Sequence, residues 1–243
     1  MSAPTAHVPG TDANSRGDDV NLRAGPQLRE YEAIAARIAR DGPGLVLDWG
    51  CGHGQMSHLL SEAGLALKSF DFRGPDSPDA EITLPRYPEV RAFISSDPRR
   101  LPYDDASFDA VLSCGVLEHV EDPDASLEEL VRVLRPGGVL YVYKLPNRFS
   151  YLEHIAKRMG LYFHGFEPFD RLYTPATARA LLVRHGYVVR ELHLANMLPL
   201  TVDAPLLHRP RAVSAYWRAN RALAGVPVLN RLATNVELIA SAP

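Results

Sequence analysis

The chain has 243 residues, 46% hydrophobic and 23% charged, with 26 Lys and Arg against 29 Asp and Glu and a formal net charge of -3. That length and apolar content fit one globular domain with a buried core, and the near-neutral balance gives no global attraction for nucleic acid, so none is expected as a partner. The two cysteines, Cys51 and Cys114, lie far apart with no CxxC or Cys/His cluster, which supports neither a disulfide framework nor a metal site and suits a cytoplasmic protein.

Residues 1–24 are polar, mixed in charge and without a basic-then-apolar signal, and read as a disordered leader; residues 25–243 read as a single domain. No apolar run approaches the roughly 20 residues needed to cross a bilayer. Tyr31, Ile34, Ala35 and Ile38 recur at helical spacing until Gly42-Pro43-Gly44 stops them. Residues 45–49 then form a short apolar strand ended by glycines, and Met56, Leu59, Leu60 and Ala63 form a helix that closes at Gly64. A second strand over 65–70 ends at Asp71. From Arg73 to Pro88 a Pro/Asp-rich loop stands where a crossover helix is expected.

Strands follow over 90–95 and 108–113. Asp122-Pro123 caps a helix with Leu127, Leu130, Val131 and Leu134 as its buried stripe, ended by Arg135-Pro136-Gly137-Gly138. A strand over 139–144, a helix opened by Thr174-Pro175, a strand over 187–194 and a last strand over 235–240 complete the pattern. Strands alternating with helices predict a Rossmann-like, doubly wound α/β domain. Its seven-stranded, mostly parallel sheet carries helices on both faces and a helical insertion before the last strand.

In such a sheet a ligand sits beyond the carboxyl ends of the strands, where strand order reverses. The segment Val46-Leu47-Asp48-Trp49-Gly50-Cys51-Gly52-His53-Gly54 lies there. Its glycines allow close backbone approach, and the helix behind offers unpaired N–H groups to an anionic group such as a carboxylate. A dinucleotide needs G-x-G-x-x-G, but Gln55 and Ser57 occupy the third positions counted from Gly50 and Gly52. That spacing disfavours an NAD-linked oxidoreductase. Asp71, about 20 residues past the turn, is placed to accept two ribose hydroxyls.

With Asp48 two residues ahead of Gly50, the turn resembles the first motif of class I S-adenosylmethionine-dependent methyltransferases. Asp97 in Ser96-Asp97-Pro98-Arg99-Arg100-Leu101-Pro102-Tyr103, then Ser107-Phe108-Asp109-Ala110-Val111, Val116-Leu117-Glu118-His119-Val120 and Arg132-Val133-Leu134-Arg135-Pro136-Gly137-Gly138 extend the resemblance to the type 11 methyltransferase group. It runs from about Leu45 to Val142. The resemblance implies S-adenosylmethionine as cofactor and S-adenosylhomocysteine as product, held by Asp48, Gly50, Cys51, Gly52, Gly54, Asp71, Phe72, Asp97, Ser113 and Cys114. Asp97 there faces the adenine amino group. Asp48 is expected to brace the turn through backbone N–H groups, and His53 and Cys51 to lend backbone atoms only.

Methyl transfer from a sulfonium is an in-line displacement that asks the protein mainly to align the reactants in a dry site. An oxygen acceptor gains from a base, for which His119, His154 and His164 are the candidates. For His119 the reading as a loop anchor outweighs catalysis. Residues 145–173, rich in aromatics including Phe149, Tyr151, Phe169 and Tyr173, and residues 196–232 are expected to cap the acceptor side. The acceptor is expected to be a small or lipid-like molecule methylated at oxygen or carbon; the alternative is a catalytically silent binding module or partner subunit.

Between Ala204 and Val236 the chain carries Arg209, Arg211, Arg218, Arg221 and Arg231 but no acid. Val213, Tyr216, Trp217 and Leu223 share one helical face, with Arg211, Ser214, Arg218 and Arg221 opposite. Two readings stand: a lid packed on its own domain with a solvated Arg face, which is favoured, or a peripheral membrane contact.

Overall fold

A computed structural model of the chain describes residues 24–74, 76–77, 79–97, 99–161, 169–202 and 204–243. The helices are α1 (Gly25–Asp41), α2 (Gln55–Glu62), α3 (Pro123–Val133), α4 (Tyr151–Met159), α5 (Pro175–Arg184) and α6 (Pro210–Ala224). The strands are β1 (Leu45–Trp49), β2 (Ala66–Phe72), β3 (Ala80–Leu84), β4 (Tyr87–Ser95), β5 (Phe108–Cys114), β6 (Leu134–Pro146), β7 (Val188–Ala195) and β8 (Asn235–Ser241). They form one sheet in the order β3-β4-β2-β1-β5-β6-β8-β7. The five central strands from β4 to β6 are mutually parallel, and β3, β7 and β8 pair antiparallel to their neighbours.

Local chemistry explains where the helices begin and end. Asp122 accepts the N–H groups of Asp124 and Ala125, both at 3.1 Å, with Pro123 next to it, so α3 starts there. Thr174 and Thr177 form a reciprocal capping box at the start of α5. Gly42, at φ 66°, closes α1 in the left-handed conformation that a side chain disfavours.

Alternation along the strands buries both faces. Leu47, Val111, Leu140, Val142 and Leu238 pack against Leu127 and Leu130 of α3 and Leu181 and Leu182 of α5. Val46, Ala110, Leu112, Tyr141, Tyr143 and Ile239 meet Ile34 and Ile38 of α1 and Met56 and Leu60 of α2. Each fully buried aliphatic side chain contributes about 1.5–3 kcal/mol.

The sheet has eight strands rather than the seven expected. In the Pro/Asp-rich stretch, β3 folds back on β4 as an edge hairpin, with Ile82 and Leu84 packed over Val90 and Ala92. No helical period exists there, and alternating residues of a short hairpin cover the edge instead. The stripe of α3 ends at Val133, because Leu134 already pairs with Phe108 and opens β6. The helical insertion before the last strand is present as α6.

Candidate functional site

The strands place their carboxyl ends side by side. Trp49 pairs with Phe70 and with Ser113, and Phe72 with Ser95, so the turns after β1, β2, β4 and β5 share one rim. From β1 the chain goes first to β2 and later to β5 on its other side, which opens a crevice at this point.

At that crevice Gly50, Gly52 and Gly54 stand at φ 76°, 52° and 87°. Two of them are forced by packing: a Cβ on Gly50 would lie 2.4 Å from a Val116 methyl, and one on Gly54 2.6 Å from a Leu84 methyl. Gly52 differs, since no described atom lies within 4 Å of where its Cβ would be. The Gly50 and Cys51 N–H groups both donate to the Phe70 carbonyl, at 2.8 and 2.9 Å, tying the turn to β2. Behind it, α2 begins at Gln55 with its amino end toward the crevice, where the first N–H groups have no intrahelical partner.

Asp48 is buried and accepts the Ser57 hydroxyl at 2.6 Å together with the Ser57 backbone N–H, and Ser57 also meets Ser69 at 2.8 Å. The expected brace is therefore present, but it reaches the first turn of α2 rather than the glycine N–H groups. Burial pushes the Asp48 carboxyl up to about 6, against the Ser57 hydrogen bond and with help from the nearby charge of Asp71. Burial also pushes the Cys51 and Cys114 thiols far above their ordinary range, so neither is a thiolate nucleophile.

The resulting cavity, about 270 Å³, is lined by Asp48, Gly50, Cys51, Gly52 and Cys114 from the expected set. His53, expected to lend backbone atoms, lines it as well, and so do Tyr31, Gln55, Met56 and Gly115, which the sequence does not single out for the site. Tyr31 shows in the sequence only as part of a helical repeat, and periodicity gives no hint of which strand end α1 overhangs. A wider depression of about 600 Å³ lies around Leu206, Arg209 and Arg211, away from the glycine turn, and has no cradle of this kind.

Asp71 sits at the end of β2 beside Arg73 Nε at 3.3 Å, while Arg73 Nη2 donates to the Gly52 carbonyl at 3.1 Å. Burial raises the Asp71 carboxyl and Arg73 opposes the rise. Asp97 stands beyond β4, where its Oδ1 accepts the Arg99 N–H at 2.8 Å and its own N–H donates to Ser95 Oγ at 3.0 Å. Ser113 is buried with its hydroxyl unpartnered, and Phe72 is exposed at the end of β2. Gly54 caps α2. These five belong to the rim without lining the cavity.

Neither His119 nor His154 lines the cavity. His119 Nδ1 lies 2.7 Å from Asp170 Oδ1, with Nε2 3.8 Å from Glu118 Oε1, and its ring is half-exposed. Its loop is strapped from the same side: Arg171 donates to the carbonyls of Val120 and Glu121, and Tyr173 to that of Leu117. His154 stands on the exposed side of α4. His164 falls outside the described residues, as do Tyr162, Phe163 and Phe166.

The Arg-rich helix α6 packs on α1. Trp217 Nε1 donates to Glu30 at 2.7 Å, and Arg221, expected on a solvated face, stacks 4.8 Å above the Trp217 ring, with Arg29 at 5.2 Å. Asn220 Oδ1 accepts the N–H groups of Met197 and Leu198 at 2.6 and 2.7 Å, and Tyr216 donates to the Pro199 carbonyl.

A parallel centre with antiparallel strands at both edges, and a glycine turn whose spacing departs from the dinucleotide pattern, define an α/β domain with a ligand crevice at the switch point of its sheet. Residues 47–142 match the methyltransferase domain family. The chain is 32% identical to a demethylmenaquinone methyltransferase of Renibacterium salmoninarum over 55% of this chain and 57% of that protein. It is 30% identical to a ubiquinone biosynthesis O-methyltransferase of Xanthomonas campestris pv. campestris, over 56% and 60%. The chain thus spans less than two thirds of these relatives' length. Among solved structures, an S-adenosylmethionine-dependent methyltransferase of Thermotoga maritima superposes with a TM-score of 0.57 at 16% identity, covering 96% of each chain, a likeness of fold.

S-adenosylmethionine is the cofactor of this family, and the residues present fit it. The open space over Gly52 and the amino end of α2 suit its carboxylate end, and Asp71 on the next strand end suits its ribose.

Proposed function

We propose that the protein is an active methyltransferase that moves the methyl group of S-adenosylmethionine to oxygen or carbon of a small or lipid-like acceptor. The observation that carries this is the left-handed Gly52, facing open space beside a buried aspartate at the switch point of the sheet. Asp71 takes the ribose hydroxyls and Asp97 the adenine amino group. The chain's own part in the transfer is to hold the donor in line and keep water away. His119, held between Asp170 and Glu118, positions the loop after β5 rather than serving as base. Relatives named for quinone methylation support a lipid-like acceptor.

Calorimetric titration with S-adenosylmethionine and S-adenosylhomocysteine tests the donor assignment. Binding of both in the micromolar range is expected, and binding of neither at millimolar concentration rejects it. Product formation then separates an enzyme from a silent binding module.

A second reading concerns location. No described helix is long and apolar enough to cross a membrane, yet Leu206, Val226, Val228, Leu229 and Leu232 are exposed beside Arg209, Arg211 and Arg231. That mixture suits peripheral contact with an anionic bilayer. Co-sedimentation with phosphatidylserine vesicles, reduced by Arg209→Glu/Arg211→Glu, is the expected result; no sedimentation of the wild type rejects it.

A further inference from the structure

Behind the Tyr31 and Cys114 end of the cavity lies a polar group that the donor site leaves unused. Lys144 stands at φ 63°, a left-handed backbone that a long side chain rarely adopts. The register between β6 and β8 slips between Val142 and Leu145, so the successive residues Tyr143 and Lys144 both turn toward α1. Lys144 Nζ comes to 3.5 Å from the Tyr31 hydroxyl and 4.7 Å from the centre of its ring, and the Gly115 N–H donates to the Tyr143 carbonyl at 3.0 Å. Tyr31 and Gly115 line the donor cavity, so the two regions share a wall.

Glu237 lies on β8 on the same face, under α1 and α6. It is 7% exposed, and its Oε1 has no hydrogen-bond partner. Gln27 Oε1, one turn before Glu30 and Tyr31 on α1, is buried and unpartnered too. The network beside them is complete by contrast: Asn220 donates to Asn196, Asn196 to Asn235, and Trp217 to Glu30. Asn196 also has a left-handed backbone, at φ 65°. A buried group that served only packing would be expected to be satisfied as its neighbours are. Glu30 of α1, Cys114 of β5, Tyr143 and Lys144 of β6 and Arg221 of α6 interact electrostatically with Glu237, and His193 of β7 stands opposite it in register. Burial pushes its carboxyl up to about 8, the charge of Glu30 adds to this, and Lys144 and Arg221 oppose it.

We propose that this group is the acceptor end of the site: Glu237 receives the proton of an aromatic hydroxyl while Lys144 holds the oxygen as its charge develops. The proposal rests on the donor reading above. The orphaned Oε1 calls for a hydrogen-bond donor. The cations Lys144 and Arg221 disfavour an ammonium there, and the rings of Tyr31, Tyr143 and Trp217 suit a flat aromatic body. In the transfer the O–H proton passes to Glu237 Oε1 and the oxygen forms its bond to the methyl carbon. The carbon–sulfur bond breaks with its electron pair left on sulfur, giving the neutral thioether product. The step starts from the ionised carboxyl, which Glu237 reaches as pH rises toward 8, so transfer is expected to speed up over that range.

3-Nitrophenol, which is mostly un-ionised in neutral water and whose ionised form absorbs in the visible, reports the step without turnover. With S-adenosylhomocysteine bound at pH 7.5, the wild type is expected to bind the probe and raise its ionised fraction. E237Q and K144M are expected to lose at least tenfold in probe affinity while holding S-adenosylhomocysteine within twofold of wild type. The bound probe should stay un-ionised in E237Q. Equal ionisation in E237Q and wild type overturns the proposal, as does a wild type that binds S-adenosylhomocysteine but takes up no phenol. A wild type that does not bind S-adenosylhomocysteine overturns the donor reading first. If E237Q does not fold, K144M carries the same readout.

Discussion

The two ends of the sheet's rim solve the problem of holding a ligand differently. At β1, β2 and β4 the site is made of backbone: three left-handed glycines, a strand-end acid and a helix terminus, with Asp48 locked to Ser57 beneath. At β6 and β8 it is made of side chains brought from Glu30 to Glu237, on a backbone strained at Lys144 and Asn196. A backbone cradle suits a ligand common to a whole family, because it depends on absent side chains. A side-chain cradle can change its chemistry by substitution without disturbing the fold.

The sharpest way to break this contrast is to put a side chain into the backbone cradle. At Gly52 an added Cβ meets no described atom within 4 Å, so Gly52→Val costs the fold chiefly the left-handed backbone, about 1–2 kcal/mol. Its methyl groups enter the space assigned to the donor, and S-adenosylhomocysteine affinity is expected to fall on the order of 100-fold, about 2.7 kcal/mol. Gly50→Ala is the control, since Val116 stands in the way and the loss is chiefly of stability. Calorimetry and thermal melts on the pair separate the two effects. Near-wild-type affinity in a folded Gly52→Val would place the donor elsewhere.

At the other end the sign is opposite, because the native Glu237 is a burden on the fold. Its carboxyl is raised from 4.5 to about 8 in the folded state, so the protonated form is the one the fold accommodates. That contribution is whole below pH 4.5 and is lost as pH rises through 8, by about 1.4 kcal/mol for each unit between. Glu237→Gln, which stays neutral, is expected to equal the wild type near pH 4.5 and to exceed it by roughly 3 kcal/mol at pH 7 in urea unfolding. Parallel stability curves for the two proteins across that range would show that Glu237 is not held neutral.

The same contrast governs what could be read in the residue order. A backbone cradle needs glycines at fixed offsets from a strand, so Gly50, Gly52, Gly54 and Asp71 could be placed before any coordinates. Strong periodicity and caps likewise located α1, α3 and α5. Glu237 reads as one polar residue in an apolar strand, and Lys144 as the end of another. Their meeting depends on a register slip that no local pattern announces. The later half of β4 is legible, but β3 and the turn into β4 are not, because Pro85 and Pro88 interrupt the alternation there. For α6 the amphipathic face was legible, but the stacking of Arg221 on Trp217 was not, since an arginine plane over a ring looks in sequence like any solvated charge.

Between the two ends, Asn220 pins the segment 196–198. Asn220→Ala leaves the N–H groups of Met197 and Leu198 and the Asn196 amide oxygen without their partner in a buried place. A loss of about 2–4 kcal/mol is expected in urea unfolding, with S-adenosylhomocysteine affinity unchanged. A fall in that affinity would mean that α6 supports the donor end too.

The smallest effect is expected at His119, and it tests whether the loop after β5 belongs to the backbone end or to the side-chain end. Its ring is half-exposed, and its partner Asp170 belongs to the segment that also straps the loop through Arg171 and Tyr173. Arg171 and Tyr173 make their own hydrogen bonds to the loop carbonyls, so removing the imidazole leaves most of the strap standing. The imidazole is half-exposed while the Asp170 side chain is 1% exposed, and a glutamine keeps a donor for that buried carboxylate, so the exchange costs about 1 kcal/mol. His119→Gln is therefore expected to lower stability by no more than that and to leave both S-adenosylhomocysteine binding and 3-nitrophenol ionisation as they are in the wild type. If instead the probe stops ionising in His119→Gln while the donor still binds, the proton goes to the imidazole. Glu237 would then be a buried acid that serves the acceptor only through its charge.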